Sequence, residues 1–154
     1  MKNDFKVVPL ESDIAEAARR AAANGEIGYA VLTADSANGY PCRHCLRFAN
    51  PGERLVLFTY ASIPPGHSYS ETGPIFVHAE SCQRYNRPSK YPEQFRNGRV
   101  FRAYNERFDM IDAIVANGTE PEAVIEGLFR NPQTALVQAR SVTRGCYTFE
   151  VRRA

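Results

Sequence analysis

The sequence lacks any long hydrophobic run. The longest apolar stretches, around residues 31–32 and 55–58, are far shorter than the roughly 20 residues that a helix needs to cross a bilayer. Residues 1–5 run into Glu11 and Asp13 without the apolar core of a secretory signal. We therefore expect a cytoplasmic protein with no membrane partner, whose four cysteines are reduced thiols rather than a disulfide framework.

The common enzyme signatures are also missing. The chain contains no G-x-S-x-G or H-E-x-x-H motif, no phosphate-binding glycine loop and no dinucleotide fingerprint. The only nucleophile and base pairs that could meet are Cys45 or Cys82 with His78. The sequence therefore assigns no catalytic residue and leaves open whether the protein is an enzyme.

The hydrophobic residues of the chain suffice for one core. The chain has 154 residues, 44% of them hydrophobic, which fits a single domain covering 1–154. Ser12 or Asp13 can cap a helix that runs to residue 23. Thr119-x-x-Glu122 is a capping-box pattern that opens a second helix, with an apolar face of helical period.

The segments between and after these helices have strand character. Two of them, 43–48 and 54–60, flank a Pro-Gly turn and predict a hairpin. The pattern predicts an α+β domain with two main helices and a mostly antiparallel sheet of about six to eight short strands. The predicted strands are 29–33, 43–48, 54–60, 73–78, 100–104, 110–116, 135–139 and 146–152.

The most informative pattern joins three cysteines and a histidine. Cys42 and Cys45 form C-x2-C, and His78 and Cys82 form H-x3-C. Zinc takes four thiolate or imidazole ligands in a tetrahedron, so these residues could form a structural Cys3His site in a nonenzymatic module. No other metal or cofactor is predicted.

The strand predicted at 43–48 disfavours that zinc site. Side chains alternate along a strand, so Cys42 and Cys45 would point to opposite faces. A dithiol redox role for the same pair would need the first cysteine at a helix N-terminus, and no helix is predicted to begin there.

The same alternation suggests a different site. In an extended segment Arg43, Cys45 and Arg47 share one face, and two guanidinium groups pointing the same way suit a carboxylate or phosphate. With Tyr69 and His78 from the next loop and strand, they would form a pocket for a small anionic ligand. This pocket is the preferred hypothesis from the sequence, and a solvated strand face is the plainer alternative.

Segment 84–107 interleaves basic and aromatic residues. It holds six arginines and Lys90 against Glu93 and Glu106, a composition found in single-strand nucleic-acid binders and in protein interfaces. The net charge of only +2, and the absence of known nucleic-acid motifs, argue against nucleic acid. Self-association into a homo-oligomer is the other partner left open.

Several short motifs along the chain occur in a characteristic order. They are GYPCRHCL at 39–46, PGE at 51–53, a loop ending in Tyr69, GPIFVH at 73–78 and GCY at 145–147. In this series the chain resembles the bacterial domain-of-unknown-function family numbered twelve hundred and three. The resemblance covers essentially the whole chain and implies a single-domain protein. It carries over no activity and no functional residue.

Overall fold

A computed structural model describes residues 4–154 and has the α+β fold that the sequence predicts. The strands form two five-stranded sheets rather than one. The elements are β1 (Phe5–Val8), α1 (Ser12–Ala23), β2 (Ala30–Thr33), β3 (Pro41–Cys42), β4 (Arg47–Phe48), β5 (Arg54–Ile63), β6 (Glu71–His78), a 3-10 turn (Glu93–Phe95), β7 (Arg99–Tyr104), β8 (Met110–Ala116), α2 (Pro121–Phe129), β9 (Leu136–Ser141) and β10 (Tyr147–Arg153).

The first sheet has the strand order β1-β10-β9-β7-β8, and each neighbouring pair is antiparallel. Helix α2 packs on β7 and β8 because its apolar residues recur on one face, with Ile125 and Leu128 buried. They join Phe101 and Phe149 from the sheet in the larger of the hydrophobic cores. This core fixes the positions of β7 and β10, which line one wall of a cavity described below.

The second sheet has the order β2-β5-β6-β3-β4, antiparallel except where β3 runs parallel to β6. Helix α1 lies on β5, with buried Ala15 and Ala18 in the same core as Val56 and Val77. Small alanine side chains let the helix axis approach the sheet closely. Within residues 4–154, neither helix combines the length and apolar character needed to span a membrane.

The hairpin predicted between 43–48 and 54–60 is wrong. Residues 43–46 form a turn, and only Arg47–Phe48 of that segment is a strand. It pairs with Pro41–Cys42, whereas β5 pairs with β2 and β6. The backbone N–H of Leu46 donates to the carbonyl of Cys42 at 3.0 Å, and this hydrogen bond closes the turn.

The capping box predicted at Thr119 is also wrong. Helix α2 begins at Pro121, the favoured first position for proline, and Glu120 precedes it without a side-chain cap. The Glu122 carboxylate instead accepts two hydrogen bonds from Arg96, at 3.0 and 2.7 Å. The predicted cap at Ser12 or Asp13 is wrong, because α1 already begins at Ser12 and Glu11 precedes it without a side-chain cap.

Candidate metal centre

The turn at 43–46 brings the C-x2-C pair together. Leu46 has a φ of +56°, in the left-handed region that costs a residue with a side chain roughly 1–2 kcal/mol. Its side chain is buried in the larger core, which offsets this strain. The turn replaces the strand alternation, so the expectation that Cys42 and Cys45 point to opposite faces is wrong.

Strand β6 and the segment after it complete the cluster. His78 is the last residue of β6, and Cys82 lies four residues later in an irregular stretch. One ligand atom from each of Cys42, Cys45, His78 and Cys82 lies within 4.8 Å of all the others. We call these four residues the Cys3His cluster.

Two distances inside the cluster match a tetrahedral site. The sulfurs of Cys42 and Cys82 are 3.9 Å apart, and the Cys45 sulfur is 3.5 Å from Nδ1 of His78. Around a tetrahedral zinc with Zn–S of about 2.3 Å and Zn–N of about 2.0 Å, neighbouring ligand atoms are about 3.5–3.8 Å apart. Two of the six distances between ligand atoms therefore match a tetrahedral zinc site, and all six are 4.8 Å or less.

The second ring nitrogen of His78 faces a carboxylate. Nε2 is buried without a hydrogen bond and lies 3.5 Å from Oε1 of Glu53. Arg47 holds that carboxylate in a bidentate pair at 3.0 and 3.1 Å, which lowers the pKa of Glu53 to about 2. A carboxylate behind a histidine fixes the ring orientation and leaves the other nitrogen for a metal.

Donor groups also surround the sulfur atoms. The backbone N–H of His78 points at the Cys42 sulfur at 3.3 Å, and Arg19 of α1 donates to the Cys82 sulfur at 3.3 Å. Nδ1 of His44 lies 3.1 Å from the same sulfur, and its Nε2 lies 2.8 Å from the hydroxyl of Ser12. Such contacts stabilise thiolates rather than neutral thiols.

The ionisation of the cluster is strongly perturbed. Hydrogen bonds from Cys45, and then from Cys82, hold the pKa of Cys42 well below its usual range. The same contact with Cys42 raises the pKa of Cys45. Hydrogen bonding to Cys42, and then to Cys82, raises the pKa of His78 to about 10. The low pKa of Cys42 and the high pKa of His78 favour a thiolate beside an imidazolium, and a metal bound at these atoms would displace the imidazolium proton.

The five residues of the expected anion pocket divide into three places. Cys45 and His78 are in contact, and Arg47 lies nearby in its ion pair with Glu53. Tyr69 belongs to the loop before β6, at the opposite end of that eight-residue strand from His78. Arg43 leaves the turn on the other side, where it donates to the carbonyl of Tyr147 at 2.8 Å.

Segment 84–107 is largely built into the fold. Tyr91 and Phe95 are buried in the larger core. Arg84 donates to the carbonyls of Pro9 and Leu10 at 2.8 and 3.1 Å. The arguments for nucleic acid and for self-association at this segment remain predictions.

Sequence reasoning missed Arg19 and His44. Arg19 is 63 residues from Cys82, on a helix with no motif that links it to the cysteines. His44 lies between the two cysteines of the C-x2-C segment. Its position in the sequence does not indicate that its side chain contacts the Cys82 sulfur. Only the packing of α1 against the turn reveals either contact.

Fold and site together define an α+β protein with a Cys3His cluster in which Cys42 and His78 are buried and Cys45 and Cys82 half-buried. Residues 39–153 match the family described as "Protein of unknown function (DUF1203)", and the chain belongs to that family. The matched region contains all four cluster residues. No curated protein and no solved structure matches the chain.

Proposed function

We propose that the protein is a zinc-binding module in which Cys42, Cys45, His78 and Cys82 hold one structural zinc ion. The observation that carries the proposal is the convergence of their four ligand atoms within 4.8 Å, on a turn whose backbone is strained at Leu46. Strained backbone persists where the surrounding structure over-determines it, often at a binding site.

Four protein ligands favour a structural role over a catalytic one. Catalytic zinc keeps an open position for water or substrate, whereas a structural zinc is closed by four protein ligands. The proposed ion would join the turn after β3, the end of β6 and the irregular segment 79–92. That segment has few backbone bonds to the sheets, so a metal link at Cys82 anchors its start.

The charges around the cluster suit Zn²⁺. Three thiolates, a neutral imidazole and one divalent ion carry a net charge of −1. Arg19 lies within hydrogen-bonding distance of one thiolate and supplies a compensating positive charge. Glu53 orients His78 and is itself neutralised by Arg47.

Metal analysis of tag-free protein tests the proposal. We expect about one equivalent of zinc per chain, and a tetrahedral thiolate absorption spectrum when Co²⁺ replaces it. Cys82→Ser should lower the zinc content, whereas Cys146→Ser, a matched change outside the cluster, should leave it at one equivalent. Less than about a tenth of an equivalent in protein purified without chelator contradicts the proposal.

A small anionic ligand is the second candidate function. One observation favours it: Arg43 is only 3% exposed, and no Asp or Glu among residues 4–154 pairs with it. A buried guanidinium without a carboxylate is costly, and an anionic ligand would relieve that cost.

A further inference from the structure

We infer that a cavity between the two sheets binds a small organic anion, with its carboxylate or phosphate group held between Arg43 and Arg99. The cavity lies on the opposite side of the 43–46 turn from the Cys3His cluster and has a volume of about 440 Å³. Arg43 reaches it from the turn and Arg99 from the first residue of β7. This site rests on the second candidate function, the small anionic ligand at Arg43, and not on the zinc proposal.

The electrostatics of the cavity are unbalanced. Arg43 and Arg99 are 3% and 8% exposed, and neither forms an ion pair with a carboxylate in the described part of the chain. A guanidinium stays protonated at neutral pH. The cavity is therefore lined by two positive groups that are nearly shielded from water.

Arg43 and Arg99 both have N–H groups without a hydrogen-bond acceptor at this cavity. Arg99 donates from Nη1 to the hydroxyl of Thr148 at 3.2 Å, but its Nε is buried without a partner. Arg43 donates to the carbonyls of Tyr147 and Pro41, which uses two of the five N–H groups of a guanidinium. An oxyanion between the two arginines would accept from the groups that remain.

The rest of the lining sets the class of ligand. Leu57 and Phe76 contribute apolar walls, and the exposed Arg144 lies at the cavity as a third positive charge. Sites for small molecules have volumes of about 300–1,000 Å³, with mostly apolar walls and a few convergent polar groups. The ligand class is therefore an organic acid or organic phosphate with an apolar body, rather than a free inorganic ion.

Calorimetry on the full, metal-loaded chain tests this inference with three probes: benzoate, phenyl phosphate and inorganic phosphate. We expect one of the two organic probes to bind more tightly than inorganic phosphate, and the better one identifies the head group. Arg99→Met should weaken its binding by about tenfold or more. Arg20→Ala, a matched change on an exposed face of α1, should leave binding unchanged.

Alkylation of Cys146 gives an independent readout, because this half-buried thiol lines the same cavity. The bound organic probe should slow its modification by iodoacetamide in wild type but not in Arg99→Met. If Arg99→Met does not fold, Arg144→Ala replaces it, and a weaker probe affinity is again expected. The inference is overturned by organic probes that bind no more tightly than about 1 mM, or by an unchanged affinity in the arginine variants.

Discussion

The two sides of the turn at 43–46 carry groups that suit ions of opposite charge. On one side, Cys42 and Cys45 belong to a cluster of thiols and imidazole whose atoms could ligate a cation. On the other side, Arg43 joins Arg99 at a cavity where two positive charges lack a carboxylate. Two buried cations without a counter-charge are costly in a protein that is only marginally stable. The two proposals assign each side its own ligand, a metal on one and an anion on the other.

Removing a ligand of the proposed zinc should have the largest effect on this comparison. Cys42→Ser should lose zinc and, at free zinc about 1,000-fold above its dissociation constant, about 4 kcal/mol of stability. For a chain of this size the midpoint of thermal unfolding should fall by roughly 10 °C. Thermal unfolding with and without added zinc measures the effect, and the variant should no longer respond to the metal.

Wild-type protein treated with a chelator is the control, because it loses the metal without any change in packing caused by the serine. Its unfolding midpoint should fall to near that of Cys42→Ser and recover when zinc is restored. If chelation changes nothing while Cys42→Ser unfolds, the cysteine matters for packing and the metal hypothesis loses its support.

A third buried arginine sharpens the comparison because it does have a carboxylate. Arg140 is fully buried and pairs with Glu71 at 2.6 Å, with further bonds to Gln138 and Ser62. Glu71→Gln would leave Arg140 buried without its counter-charge. Breaking a buried pair costs 3–5 kcal/mol, and since Glu71 is partly exposed we expect about 2 kcal/mol. Urea unfolding measures this loss, and a change below about 0.5 kcal/mol contradicts it.

Removing the Glu53 carboxylate next to His78 should weaken zinc binding at the Cys3His cluster without abolishing it. Glu53→Gln should weaken zinc binding by about 10-fold to 100-fold, because Glu53 orients the imidazole and increases its basicity. Competition with a chromophoric chelator gives the zinc affinity. Glu80→Gln, which breaks the exposed pair with Arg54, is the matched control and should leave the affinity unchanged. Equal affinities in the two variants would show that Glu53 does not support the metal.

The sequence could predict the class of fold and the four cluster residues, but not their arrangement. Helix α2 and the longer strands follow from local periodicity. Residues 43–48 also have a strand-like pattern, with Leu46-Arg47-Phe48, although most of them form a turn. Their turn depends on Leu46 adopting a positive φ, which side chains of its type rarely do. The conformation of Leu46 is determined by packing and by its hydrogen bond to Cys42, so no local sequence pattern predicts it.

The arginine cavity was beyond sequence reasoning for a topological reason. The sequence identifies Arg43 as a candidate, but the alternation of an extended segment pairs it with its close neighbour Arg47. Arg99 and Thr148 come from β7 and β10, which meet the turn only because two separate sheets pack together. Pairing of distant strands is set by the whole chain, and a single sequence does not reveal it.

The smallest predicted effect is the most discriminating, because its sign separates a ligand-binding arginine from a structural one. Without ligand, Arg99→Met should raise stability by about 1 kcal/mol, since it removes a buried charge and the unpartnered Nε. The lost contact with the Phe95 ring, at 5.0 Å, and the lost hydrogen bond to the buried Thr148 hydroxyl offset part of that gain. Arg140→Met should instead destabilise the protein, because that guanidinium is fully bonded. If urea unfolding shows both variants losing stability alike, Arg99 is a structural residue, and the two sides of the turn differ less than their charges suggest.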